Sequence, residues 1–179
     1  TRALQRQLTD KDIPVAQAIF RKYLNTDFKF SLCLGSANYP CRRRFERFLK
    51  RGEFDKADLP YLGRISSLFK ERKIFTSLEA DVPSYIWGEI CRDSELCDQQ
   101  RCPMSSICPF QYARKEWAAS DVLVMNHYLF FSNIASGKTY LPVTETVIFD
   151  EAHSVENIAS KQLGFSIDYD LLLSLLQRF

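Results

Sequence analysis

Three cysteines fall within twelve positions, Cys97, Cys102 and Cys108, and two of them are followed at once by proline. The stretch "CDQQRCPMSSICPF" is too rich in turn-forming residues for a regular helix or strand, so its backbone must loop around whatever the thiols hold. Three thiols are an incomplete ligand set for a tetrahedral ion or a cubic cluster, so a fourth is needed. Cys91 is the local candidate and completes the run Cys91-x5-Cys97-x4-Cys102-x5-Cys108, and closing that short loop costs the least entropy. Cys41 is the distant candidate. Disulfides fit less well: 179 residues with 46% apolar content can bury a core without covalent staples, and nothing in the sequence points to secretion. Four thiolates suit zinc or iron–sulfur chemistry, but zinc ribbons use paired C-x2-C knuckles, which are absent here. The irregular spacings fit a larger cluster.

Around this loop the pattern is mainly helical. Residues 2–23 read as helix, with Pro14 expected to break it and start a second helix. "FKFSLCLG" alternates, with Phe28, Phe30, Leu32 and Leu34 on one face and Lys29, Ser31 and Cys33 on the other, the period of a half-buried strand. "CRRRFERFLKRG" reads as a helix stopped by Gly52, "RISSLFKERKIFTSLEA" as one amphipathic helix, and "PFQYARKEWAAS" as a short helix with Phe110, Ala113 and Trp117 on one side. The pattern then changes. "DVLVMN" and "TVIFDE" are short apolar runs rich in β-branched residues, as in strands buried on both faces of a parallel sheet. "SNIASGKTYLP" reads as a polar loop between them, and "YDLLLSLLQRF" as a terminal apolar helix.

A buried strand ending in acids is chemically informative, because ligands in open α/β sheets sit beyond the carboxyl ends of the strands. "VIFDEAH" would deliver Asp150 and Glu151 to that edge. In nucleotide-hydrolysing folds a strand-end Asp holds Mg²⁺, here Asp150 through water, and the next acid polarises the attacking water. His153 would then stand near the γ-phosphate. The bland reading is a strand end capped by acids, with His153 starting the next helix. The Gly137-Lys138-Thr139 run is not a phosphate loop: G-x-x-x-x-G-K-[ST] needs glycine at position 132, where Ser132 stands. Lys138 reads as solvated loop.

Net charge is only +2, so nucleic-acid binding would need a local patch. One exists: Arg42, Arg43, Arg44, Arg47, Lys50 and Arg51 stand against the single acid Glu46, with Arg43, Arg47 and Lys50/Arg51 on one helical face. Such a face would bind phosphates without sequence preference. Phe45 and Phe48 read as core, and Tyr39 and Trp87 as core or cluster cover, ahead of base-stacking roles. Lys70, Arg72 and Lys73 read as a solvated face. Asn126 and His127 follow a strand and lie at its ligand edge, where a satisfied strand-end histidine weighs equally.

Taken together, "SANYPC", then C-x4-C-x5-CPF, then "DVLVMNHYLF" and "VIFDEAH" resemble the DinG/XPD group of iron–sulfur superfamily 2 DNA helicases, nearest the bacterial DinG branch. The resemblance implies a partial RecA-like α/β motor domain interrupted by a mainly helical four-cysteine insertion. The implied divisions are 1–36 (motif Ia region), 37–115 (cluster domain), 116–155 (return to the motor with the D-E-A-H box) and 156–179 (start of an arch). It implies a [4Fe–4S] cluster on Cys41, Cys97, Cys102 and Cys108, leaving Cys91 and Cys33 as packing or free thiols. It also implies ATP with Mg²⁺, catalysis through Asp150, Glu151 and His153, and single-stranded or forked DNA near Asn126 and His127, with the Arg42–Arg51 face read above as the phosphate contact. A monomeric cytoplasmic enzyme moving 5′ to 3′ is expected, with the phosphate loop before Thr1 and the second motor domain after Phe179, so that these residues alone would be inactive. The competing expectation is a zinc or redox-sensing module without motor activity. No apolar run approaches the roughly 18 residues of a membrane span.

Overall fold

A computed structural model describes residues 2–94, 96–137 and 140–164. Lys138 and the helix expected over 169–179 lie outside the described residues. The chain divides into two compact units, Arg2–Val124 and the unit that begins at Met125.

In the first unit, α1 (Arg2–Gln7) runs through a π turn (Leu8–Asp12) into α2 (Ile13–Ile19) and a second π turn (Phe20–Leu24), ending at Asn25 in the left-handed region (φ 48°). The break expected at Pro14 does not occur. The turn before it widens, with the Ile13 N–H reaching Leu8 O, and this π turn accommodates the proline while the chain stays helical. Strand β1 (Phe30–Leu32) then pairs in parallel with β2 (Val122–Val124), Phe30 opposite Val122 and Leu32 opposite Val124. The Cys33 N–H extends the ladder to Val124 O at 2.7 Å, and the Asp121 carboxylate accepts from the Lys29 N–H at 2.8 Å. A parallel pair needs a crossover. Here everything from Cys33 to Asp121 is that crossover, so the cysteine-bearing lobe is an insertion between two paired strands.

The lobe contains α3 (Arg42–Arg51), α4 (Leu59–Glu71), α5 (Ser77–Ala80), α6 (Ser84–Ile90) and α7 (Pro109–Ala118). Gly52 ends α3 at φ 69°, a conformation that favours glycine. Phe45 and Phe48 of α3 pack with Leu62 and Ile65 of α4, Phe75, Ala80, and Ile86 and Ile90 of α6 into one buried cluster. The single helix expected over 64–80 is two helices. Arg72 leaves the helical region, the fully buried Phe75 draws the chain inward, and Thr76 restarts it with a reciprocal cap to Glu79. Along α7, Phe110, Ala113 and Trp117 are buried as the spacing predicts, and Phe110 and Trp117 meet Tyr39 edge-on at 5.4 and 6.2 Å. Tyr39, Phe45 and Phe48 are thus core side chains.

In the second unit, α8 (His127–Ala135) packs against α9 (Val155–Leu163). The loop expected from Ser132 begins only at Ser136, because the helix continues through Ala135. The buried Asn133 side chain then accepts from the N–H groups of Tyr140 and Leu141, both at 3.1 Å, and turns the chain back. The strand expected at 147–150 does not form: no ladder reaches it among the described residues, and Ile148 is 91% exposed. A strand exists through its neighbour's hydrogen bonds. Phe149 is held instead by rings, 5.3 Å from Phe130 and 5.7 Å from His127. No helix among the described residues is long and apolar enough to cross a membrane.

Candidate cluster site and D-E-A-H loop

Cys41 is the residue that caps α3, and long-range backbone bonds set its position. Its N–H donates to Ile90 O at 2.7 Å, the Arg92 N–H donates to Tyr39 O at 2.8 Å, and Pro40 forms an antiparallel bridge with Cys91. Arg44 completes the fastening, donating to Glu89 O at 3.0 Å and Gly88 O at 2.7 Å. The start of α3 is thereby tied to the end of α6, immediately before the proline-rich loop.

This brings Cys41 into one cavity wall with two of the three clustered thiols. Cys41, Cys97 and Cys102 line one cavity of about 450 Å³. Cys108 stands at the start of α7, outside the cavity wall but within electrostatic reach of Cys41. Burial, above all, pushes its thiol up, and the backbone N–H groups of Gln111 and Phe110 partly offset the rise. Cys91 is bridged to Pro40, but its thiol turns to Gly88 O at 3.7 Å, away from the cavity lining. Cys33 is buried near the strand pair, and burial pushes its thiol up to about 12. Among the described residues no group of three or more His, Cys, Asp or Glu converges closely enough to hold a single metal ion. Cys41, Cys97 and Cys102 are soft thiols of the kind that hold iron–sulfur clusters, and five arginines line their shared cavity against three carboxylates.

The basic helix divides into two groups. Arg44 and Arg51 serve the fold: Arg44 also pairs with Asp93 at 3.5 Å, and Arg51 pairs with Glu89 and with Glu53 at 3.4 Å. Arg42 lies over the Phe69 ring and pairs with Glu46 at 3.5 Å. Arg43, Arg47 and Lys50 are exposed and have no ion-pair partner among the described residues, and the two arginines line the cysteine cavity. These three are the exposed cations of α3 without an ion-pair partner among the described residues.

In the second unit the acids sit on an exposed loop. Asp150 Oδ1 accepts from the Glu151 N–H at 2.9 Å, and Glu151 adopts φ 51°, ψ 47°, a conformation costing an L-residue about 1–2 kcal/mol. That strain is held by Ser154, whose N–H and hydroxyl both donate to Glu151 O at 2.9 Å. The Ser154 hydroxyl also lies 3.4 Å from His127 Nδ1, and His153 Nδ1 lies 3.3 Å from Glu151 Oε2. Asn126 caps α8, its side chain accepting from the Leu129 N–H at 2.8 Å. His127 is therefore linked to the acidic loop through one hydroxyl. Reading the sequence alone missed Ser154 and Arg92. The only signals for them were a serine directly after the D-E-A-H letters and an arginine among cysteines.

Two parallel strands joined by an inserted helical lobe are the pattern of a partial α/β domain. A model of the DEAD_2 family matches residues 72–172, more than half of the chain, and the chain belongs to that family as a DinG-like helicase fragment. It is 34% identical to the ATP-dependent DNA helicase YoaA of Haemophilus influenzae, over 92% of this chain and 26% of that protein. It is 30% identical to the Escherichia coli helicase of the same name (98% and 28% coverage). Identity is also 30% to the ATP-dependent DNA helicase DinG of Photobacterium profundum, with 89% and 25% covered. The chain spans about a quarter of the length of these curated relatives.

Proposed function

We propose that this chain is part of an ATP-dependent DNA helicase that travels 5′ to 3′ on single-stranded DNA, acts on forked substrates in the cytoplasm as a monomer, and carries a structural [4Fe–4S] cluster. The observation that carries the motor reading is the acidic loop: two adjacent, exposed acids on a strained turn, whose Glu151 backbone carbonyl accepts from the Ser154 hydroxyl that also lies beside His127. Asp150 binds Mg²⁺ of MgATP through water, and Glu151 orients and polarises the attacking water. His153, beside Glu151, senses the γ-phosphate. Arg43, Arg47 and Lys50 bind DNA phosphates, while Arg42, Arg44 and Arg51 shape the helix that presents them. The Asn126 cap holds the start of α8, so His127 reports on the nucleotide loop.

Cys41, Cys97, Cys102 and Cys108 hold the cluster, which acts as a cross-link between the start of α3 and the proline-rich loop. Three of the four thiols sharing a cavity supports this set, as does the cavity's excess of arginine.

The test is made on the whole protein. ATP hydrolysis stimulated by single-stranded DNA is expected, and Arg43→Ala with Arg47→Ala should flatten the salt dependence of binding by about 0.7 in log–log slope per lost phosphate contact. An unchanged slope would remove the DNA role from this helix. Stoichiometric zinc with no iron, together with no DNA-stimulated hydrolysis, would favour a non-motor zinc module.

A further inference from the structure

Arg92 is a buried charge. It is 6% exposed, its Nε has no hydrogen-bond partner, and it makes no ion pair among the described residues. Its neighbour Asp93 pairs with Arg44 instead, at 3.5 Å. The guanidinium lies 4.4 Å from the centroid of the Phe110 ring, and Arg92 is one of the residues that line the cysteine cavity. A hydrogen bond from the Arg92 N–H to Tyr39 O at 2.8 Å fixes its backbone beside Cys41. A buried cation is costly unless an opposite charge meets it, and an aromatic face compensates only part of that cost. DNA phosphate is an unsuitable partner, because a phosphate chain would need the guanidinium at the surface, where Arg43 and Arg47 already stand.

We infer that Arg92 is the buried counter-charge of the iron–sulfur group held by Cys41, Cys97, Cys102 and Cys108, donating N–H to its sulfur shell and raising its reduction potential. This rests on the cluster reading above. Four thiolates outweigh the positive charge of an iron–sulfur core, so the whole assembly is an anion. Reduction adds further negative charge, and a fixed neighbouring cation stabilises the reduced form more than the oxidised one. Hydrogen bonds to sulfur act in the same direction. Arg92 is a positioning and tuning residue, not a ligand.

The experiment uses the whole protein prepared without oxygen, as wild type, Arg92→Gln and Arg92→Lys. It measures iron and sulfide content, the midpoint potential by spectroelectrochemical titration, and the rate of visible bleaching in air. Arg92→Gln should load a cluster whose midpoint is more negative and whose bleaching is several-fold faster. Arg92→Lys, keeping the charge but losing the Nε–H, should lie between the two. If Arg92→Gln does not accumulate, Arg92→Lys carries the test alone, with a smaller shift in the same direction. Variants that load normally and match wild type in both midpoint and bleaching would overturn the role of Arg92 alone. A wild-type protein with no iron and sulfide would overturn the cluster reading itself, which is a separable result.

Discussion

Between Tyr39 and Trp117 the lobe buries Tyr39, Ile65, Phe75, Ile86, Ile90 and Trp117 to 2% exposure or less, whereas around the acidic loop Val143 and Ile148 stand 97% and 91% exposed. The two candidate sites are held by different forces. The cysteines are positioned from below, by a packed aromatic and aliphatic core that aligns α3, α6 and the start of α7. Asp150 and Glu151 are positioned from beside, by a cap, a serine and a few hydrogen bonds. Damage to the core should therefore disturb the cysteine site and stability together. Damage to the acidic loop should alter chemistry and leave stability nearly untouched.

The largest effect expected is on chemistry. Glu151→Gln in the whole protein should lower ATP hydrolysis by about 10²–10⁴-fold, the usual worth of a positioned acid–base group, with an unchanged melting temperature. A marked loss of stability would show that the loop carries more of the fold than its exposure suggests. Next comes Phe75→Ala, which should cost about 3–5 kcal/mol by equilibrium unfolding and reduce iron content at the same time. Retained iron despite that loss would separate the cysteine site from the core beneath it. Smaller again is Asn126→Ala: loss of the cap should cost about 1 kcal/mol. If single-strand affinity falls with no change in stability, Asn126 is a DNA contact rather than a cap.

Where local pattern decided the structure, the sequence was readable. Helix α3 and its stop at Gly52 follow from the phenylalanine spacing and a residue that tolerates positive φ. The buried face of α7, the alternating stretch that became β1 and the apolar run that became β2 were equally plain. Tertiary pull was not. Phe75 bends 64–80 into two helices because its ring is wanted in the core, and a π turn absorbs Pro14 without a break. The run at 147–149 has strand composition, but composition cannot supply the neighbour that a ladder requires. At the cysteine site, chain entropy pointed to Cys91, and only the long-range bonds from Cys41 to Ile90 and from Arg92 to Tyr39 put Cys41 in the cavity wall. Arg44 and Arg43 look alike as letters, and their different employment depends on carbonyls at Gly88 and Glu89 that lie more than forty residues away.

The fourth thiol decides how the lobe is built, and one pair of variants measures it: iron and sulfide content of the oxygen-free protein carrying Cys41→Ser or Cys91→Ser. Loss of the cluster in Cys41→Ser with near-normal iron in Cys91→Ser is the predicted result. A fully loaded Cys41→Ser protein beside an empty Cys91→Ser protein would contradict it, and would move the anchor from the head of the arginine helix to the loop itself.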